Sequence, residues 1–375
     1  MNQKTLNDYC EFIIDCLHNT APIENNETGY YSIRTPDIGR GRLNIDTANR
    51  VSEKTYEKWT VRAIPQAGDL ILAREAPVGN IAIVPANAKV CCGQRTVHIR
   101  PDKTKINPGY LVYLILGDEI QGKIKGQSQG ATVAHLNMED IRALVLPNLP
   151  SLPIQYKIAD VLSNYDDLIE NNTRRIRLLE AMAQAVYRKW FGKVDEKSLL
   201  IGWEMVKLGD VADIQWGDTS VTKASYVEDG YTAYSASGAD GKLEYYDFDR
   251  TGIVLSAIGA NCGKTWFTRG KWSCIKNTIR FWSISNRVST EYLYLASADA
   301  NFWTRRGAAQ PFISQGDARA INIVCPSQEV MDRFTNFASV TLEEIDILHR
   351  QNANLRQTRD LLLPRLVSGE IELKL

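Results

Sequence analysis

The chain has no net charge to offer, because 44 basic and 44 acidic side chains cancel over 375 residues. A protein that neutralises many DNA phosphates unaided carries an excess of lysine and arginine, so the balance counts against that class while leaving room for local basic clefts. Long hydrophobic runs are missing too. The longest apolar stretch, Tyr110 to Leu116, falls far short of a membrane span, and the first residues are polar and acidic where a signal peptide is apolar. The seven cysteines are odd in number, contain no CxxC pair and include the vicinal Cys91 and Cys92, which indicates neither a disulfide framework nor a zinc site and fits a reducing cytoplasm. Histidine is scarce. Its four residues are scattered, none beside a Cys or Ser in a nucleophile setting, and each is expected at the surface or in a turn.

What the chain does have is a repeat of about 180 residues. Asp140-Ile141-Arg142-Ala143, after Gly130-Ala131, returns as Asp317-Ala318-Arg319-Ala320 after Gly307-Ala308. Cys92, Thr96, Tyr110 and Leu111 return as Cys274, Thr278, Tyr292 and Leu293, and Leu178, Arg188 and Gly192 as Leu355, Arg365 and Gly369. Each copy runs through β-patterned segments, a short helix, a Gly-Ala loop, a Pro-containing hinge and a long amphipathic helix. Short strands are expected at Leu70 to Ala73, Ile81 to Val84 and Thr96 to Ile99, and again at Ile253 to Ala257, Thr265 to Thr268 and Asn277 to Trp282. The openings differ: Phe12 to Thr20 has little in common with Ala212 to Ser220. A shared scaffold with diverged tips suits two units that read different things.

The long helices follow from spacing. Ile158, Leu162, Tyr165, Ile169, Asn172, Ile176, Leu179, Ala183, Val186 and Trp190 recur every three or four residues, as do Phe334, Phe337, Thr341, Ile345, Leu348, Asn352, Leu355, Leu362 and Leu366. Each spans roughly 35 residues, about 50 Å, with Pro364 expected to kink or break the second. Ser151 and Ser327 are candidate N-caps behind proline hinges. Asn172 and Asn352 either fix register on these seams or reach solvent at their edge. The predicted fold is α+β: two tandem globular domains of mixed α/β structure, each followed by a long helix, the helices packing as an antiparallel coiled coil. The boundaries are residues 1–150, helix 151–192, linker and second domain 193–326, and helix and tail 327–375.

Two near-motifs lose their chemistry on inspection. Asn107-Pro108-Gly109-Tyr110 imitates the Asn-Pro-Pro-Tyr signature of amino-methyltransferases, but its second proline is Gly and the matching Ser289-Thr290-Glu291-Tyr292 lacks it, so it reads as a helix start. Gly259 to Thr265 imitates a phosphate loop one residue short between its glycines; lying between strands, it reads as a tight turn with Lys264 exposed and Pro77-Val78-Gly79-Asn80 as its counterpart. No catalytic, cofactor-binding or metal-ligating residue remains, and a binding protein is expected.

The order of variable domain, long helix, variable domain, long helix resembles the specificity subunit of Type I restriction-modification systems over the whole chain. Val206-Lys207-Leu208-Gly209-Asp210, the Gly259 to Lys264 turn, the Gly307 to Ser314 loop and, most specific, Leu361-Leu362-Leu363-Pro364-Arg365-Leu366-Val367-Ser368-Gly369-Glu370-Ile371 carry the resemblance. It implies two target recognition domains, each reading half of a split, asymmetric DNA target, on a coiled coil that spaces them. It implies double-stranded DNA, two methyltransferase subunits and restriction subunits as partners, with S-adenosylmethionine, ATP and Mg on those subunits and no catalysis in this chain. The N-terminus departs from the pattern: it lacks the opening seen at Trp203 to Gly209, so its first strand is expected to sit differently. A coiled-coil adaptor that never touches DNA, or a specificity subunit of a related methylation-based phage-defence system, remains the alternative.

Side chains that hydrogen-bond base edges are chiefly Arg, Lys, Asn and Gln on groove-facing loops. In the first domain these are Arg40, Arg42, Gln94, Arg95, Gln127 and Gln129, with His18 and Thr20 as polar candidates. In the second they are Lys264, Lys276, Asn277, Arg305, Arg306 and Gln310, with Trp216 and Phe312 as apolar wedges or stacking surfaces. Gln94-Arg95 and Lys276-Asn277 stand out because they occupy equivalent places in the two copies.

Overall fold

The computed structural model describes residues 3–75, 77–127, 135–192, 198–299, 301–307 and 309–371. Gln129, the Gly130-Ala131 pair and Ala308 lie outside the described residues. Two compact units result, one of Met1–Asn171 with Asn352–Leu375 and one of Asn172–Gln351. Each unit therefore takes in part of both long helices.

In the first unit the strands are Cys10–Asp15 (β1), Tyr30–Ile33 (β2), Gly41–Arg42 (β3), Asn49–Arg50 (β4), Leu70–Ala73 (β5), Ile81–Ile83 (β6), Lys89–Cys92 (β7) and Thr96–Pro101 (β8). The helices are Glu53–Trp59 (α1), Pro108–Leu116 (α2), Asp118–Gln127 (α3), Met138–Arg142 (α4) and the 40-residue Leu152–Phe191 (α5). A five-stranded sheet in the order β1-β8-β5-β6-β3 lies against a three-stranded one, β4-β2-β7, in which β2 and β7 run parallel. Both faces of β5 are buried, so Leu70 and Leu72 join the helical core with Tyr110 and Leu111, while Ile71 and Ala73 meet Ile33 and Val90 of the small sheet. Burial on two sides is why this strand reads as an unbroken apolar run.

The second unit repeats the plan with Glu204–Lys207 (β9), Ala212–Trp216 (β10), Tyr231–Ser235 (β11), Gly238–Leu243 (β12), Phe248–Asp249 (β13), Gly252–Ser256 (β14), Thr265–Thr268 (β15), Lys271–Cys274 (β16), Thr278–Ser283 (β17) and Asn322–Cys325 (β18). Its helices are Leu208–Val211 (α6), Thr290–Ser297 (α7), Gln315–Arg319 (α8) and the 40-residue Gln328–Val367 (α9). The sheet β10-β17-β14-β15 matches β1-β8-β5-β6, and β11 again runs parallel to β16 in the second sheet. Ile253 and Leu255 face the helical core, and Val254 packs on the far side with Tyr234, Trp272 and Trp282.

The supposed methyltransferase signature is a helix cap. Asn107 Oδ1 accepts the Tyr110 N–H at 2.8 Å with Pro108 in the first turn, and Ser289 Oγ does the same for Tyr292 at 3.1 Å. The N-terminus, expected to sit differently, does not. Leu6 N–H donates to Leu144 O, and Thr5 bridges Val145, just as Leu208 N–H donates to Ile321 O beside the β9–β18 pair. The lack of that opening does not displace this segment, because its register is set by the backbone pairing rather than by a Trp.

Both long helices exceed the expected length and run to about 60 Å. Ser151 and Ser327 stand immediately before them. Helix α9 continues through Pro364 to Val367, where proline forfeits one hydrogen bond near an end that frays in any case. Within the first unit, α5 and α9 run antiparallel: Asp166 pairs with Arg359, Asn352 Nδ2 donates to Ile169 O at 3.4 Å, and Leu363 and Leu366 enter the core beside Ile158 and Leu162. Within the second unit, Asn172 Nδ2 reaches Gln351 Oε1 at 3.4 Å, Arg175 pairs with Glu344 at 2.6 Å, and Ile176 packs with Leu342, Ile345 and Leu348. Asn172 and Asn352 are both buried and hydrogen-bonded across the helix pair, the arrangement that fixes register.

One histidine departs from expectation. His98 on β8 is buried, its Nε2 2.6 Å from Asp69 Oδ2, and Arg100 forks onto the same carboxylate. Burial alone would push Asp69 up, but the hydrogen bonds from His98, Arg100 and the Gln66 N–H outweigh it and hold its pKa at about 2, below the ordinary 3.8. The folded-state pKa is depressed, so this contribution is present above the unfolded value and lost as pH falls through the folded one. Acid titration of the melting temperature should show about 2 kcal/mol disappearing between roughly pH 5 and pH 1. Asp69→Asn, which removes the charge, should flatten that part of the profile; an unchanged profile would mean the carboxylate is not the titrating group.

Candidate nucleic-acid interface

In each unit a group of the candidate base-contacting side chains gathers around a tight turn. Residues 93–95 join β7 to β8, and residues 275–277 join β16 to β17. Thr96 Oγ1 donates to Gly93 O at 2.7 Å and Thr278 Oγ1 to Ile275 O at 2.6 Å, so the repeated threonine buckles each turn identically. Arg95 and Asn277 adopt φ of +67° and +71°, a left-handed conformation that asparagine tolerates and arginine adopts only where its surroundings hold it. Gln94, Arg95 and Lys276 project into solvent and Asn277 is half-buried.

Around the second-unit turn the other candidates converge through backbone pairing. Ala257 N–H donates to Asn277 O, Ile313 N–H donates to Ala257 O, and Gly259 N–H donates to Pro311 O. Arg306 and Phe312 exchange hydrogen bonds of 2.9 and 2.8 Å, closing a small loop that carries Gln310. Trp216, 37% exposed, ends β10 beside Gly217, whose N–H donates to Thr278 O. The turn at Gly259 to Lys264 is a β-turn as expected, with Lys264 exposed. Gly263, at φ +93°, lies under Arg305, where an added Cβ would stand 2.7 Å from its guanidinium. Arg306 pairs with Asp317.

The first-unit turn is built the same way but dressed differently. Arg74 N–H donates to Arg95 O, and Leu136 N–H donates to Arg74 O. Gln94 holds His18 O through Nε2 at 3.1 Å and meets the Thr20 hydroxyl at 3.4 Å, so His18, Thr20, Gln94 and Arg95 form one cluster. Arg95 pairs with Glu75 at 2.9 Å. Asp15, Cys16 and His18 lie close together, but Arg74 takes the Asp15 carboxylate at 2.6 Å and burial pushes the Cys16 thiol up.

Three candidates stand apart from the turn. Arg40 donates to Leu116 O at 3.2 Å, capping the C-terminal end of α2 where a cation is favoured. Arg42 pairs with Asp167 and Glu170 on α5. Gln127, exposed at the end of α3, lines a small cleft with Leu136 and Asp140. The strongest repeated phrase proves structural: Arg142 donates to Ile13 O and Arg319 to Ile214 O, both at 3.0 Å, clamping the carbonyl edge of β1 and β10. Unpaired edge groups need such cover.

Sequence reasoning missed His135. Glu75 bridges His135 as Ile258 bridges Phe312, which makes His135 the counterpart of Phe312. The signal was present, since each stands five residues before the repeated Asp140 and Asp317, but His and Phe share no chemistry that a pattern would detect.

The model of the family described as the Type I restriction modification DNA specificity domain matches residues 1–181 and 201–355. The chain belongs to that family and is a specificity subunit of the Type I class. It is 25% identical to the Type I restriction enzyme MjaIX specificity subunit of Methanocaldococcus jannaschii over 90% of this chain and 84% of the relative. It is 22% identical to the HindI specificity subunit of Haemophilus influenzae over 73% and 79% of the two chains. The crystal structure of the S subunit from M. genitalium superposes with a TM-score of 0.62 at 16% identity, covering 100% of this chain and 96% of that one, so the fold is shared. Among the described residues no helix is long and apolar enough to cross a membrane.

Proposed function

We propose that this chain reads a two-part, asymmetric DNA target, with the turn at residues 93–95 facing one half-site and the turn at 275–277 facing the other. The observation that carries this reading is the convergence of exposed Gln94, Arg95 and Lys276 and half-buried Asn277, with Arg305 and Gln310, at equivalent ends of two sheets built on one plan. These are the side-chain types that hydrogen-bond base edges in the major groove. The dressing of the two ends differs, hence the asymmetry. Helices α5 and α9, shared by the units, set the unread gap.

Catalysis belongs to partner subunits: two methyltransferase copies bound to the pseudo-symmetric scaffold, with restriction subunits added, supply S-adenosylmethionine, ATP and Mg chemistry. They also supply much of the phosphate contact that a chain of zero net charge lacks. The test is to co-express the chain with its methyltransferase subunit and map methylated bases. A single two-part motif is expected, and exchanging residues 1–147 for those of a relative should alter one part only. An exchange that changes both parts, or neither, would overturn the assignment of one half-site to each unit.

A further inference from the structure

We infer that positions 135 and 312 are one and the same specificity-determining position in the two units, His135 contacting a hydrogen-bonding base edge and Phe312 a thymine methyl. The inference rests on the half-site reading above and adds a residue and a chemistry to it.

Position, not packing, fixes these two residues. Each lies in an isolated antiparallel bridge, to Glu75 in one unit and Ile258 in the other. The residue that follows donates its N–H to the strand end beside the turn, Leu136 to Arg74 O and Ile313 to Ala257 O. That strand end in turn donates to the turn itself, Arg74 to Arg95 O and Ala257 to Asn277 O. Main-chain bonds thus tie residue 135 to the Gln94-Arg95 pair and residue 312 to the Lys276-Asn277 pair. The neighbouring Leu136 and Ile313 are buried and belong to the cores, whereas Phe312 remains 38% exposed and His135 half-buried.

A site held by backbone, flanked by core residues and open to solvent admits different side chains without disturbing the fold. The two occupants differ in kind. Part of the Phe312 ring is open to solvent, and in the major groove the apolar feature of a base pair is the thymine methyl. A histidine ring offers one donor and one acceptor when neutral, suited to the acceptor edge of a purine.

The experiment uses the assembled complex. Phe312→His and His135→Phe are each co-expressed with the methyltransferase subunit, the methylated motif is mapped, and purified complexes are titrated with duplexes carrying every base change in the wild-type target. F312H should lose about 5- to 150-fold of discrimination at one base pair of one half-site and leave the other half-site and the gap unchanged; H135F should do so in the other half. Phe312→Leu, which keeps an apolar contact, should retain the motif, whereas Phe312→Ser, which removes that contact, should lose the same discrimination as F312H and carries the test for that unit if F312H fails to assemble. In the first unit His135→Gln, which keeps a hydrogen-bonding side chain, should retain the motif, and His135→Ala, which removes it, carries the test if H135F fails to assemble. F312H, F312S, H135F or H135A complexes that assemble and keep every base preference, or that relax both half-sites together, would overturn the inference. If the unmodified complex methylates no two-part target, the half-site reading itself falls; if it does and the variants change nothing, only this inference falls.

Discussion

Inserting one heptad into each long helix, after Asn171 in α5 and after Gln351 in α9, is expected to abolish specific binding at the original target while both half-sites stay readable at a different gap. These two points are the boundaries of the compact units, so every contact within a unit survives the insertion, including Asn172 with Gln351 and Asn352 with Ile169. Seven residues are nearly two full turns, which keeps the apolar seam facing its partner. If the helices set the gap, the original spacing then presents one half-site correctly and misplaces the other. Affinity for it should fall toward the non-specific level, a loss of about 10³-fold or more. Binding to a series of duplexes that differ only in gap length measures this directly. An unchanged optimum gap would refute the spacing role of the helices.

The second large effect concerns the ionic contact that joins the helices in the first unit. Asp166, 7% exposed, accepts the Tyr113 hydroxyl at 2.6 Å on Oδ2 and pairs with Arg359 through Oδ1. Replacing Asp166 with alanine strands a largely buried guanidinium and an orphaned phenol, and breaking such a pair from one side costs about 3–5 kcal/mol. Arg359 keeps its 2.8 Å contact with the exposed Asp360, which places the loss at the lower end, about 3 kcal/mol. Substituting both partners, Asp166→Leu with Arg359→Met, should restore most of that stability because no charge is left unpaired. Thermal unfolding of the wild type, Asp166→Ala and the double variant decides it. A double variant as unstable as Asp166→Ala would show that the pair does more than satisfy itself.

How far the sequence could be read depended on whether a feature is local. The helix start at Asn107-Pro108, the turn at Gly259 to Lys264, the strands at Leu70 to Ala73 and Thr265 to Thr268, and both long helices follow from spacing and capping within a few residues. The equivalence of Gln94-Arg95 with Lys276-Asn277 was legible too, because the threonine that shapes each turn is only one or two positions away. Features that depend on distant partners were not legible. The parallel pairing of β2 with β7 and of β11 with β16 joins segments some tens of residues apart, and no local pattern announces it. His98 looked like a surface residue because its partner Asp69 lies 29 positions away. Arg40 and Arg42 had the chemistry of base readers, yet a backbone carbonyl and two α5 carboxylates hold them.

The sequence by itself determined that this protein is a duplicated scaffold of two mixed α/β units with long amphipathic helices, because repetition and periodicity are written in residue order. Only the tertiary structure decided that each unit is completed by part of both helices, that the repeated Arg142 and Arg319 clamp an edge strand, and that His135 stands where Phe312 stands. Those outcomes turn on which backbone groups find partners across long stretches of chain, and hydrogen-bond satisfaction between distant segments is settled only when the whole chain has folded.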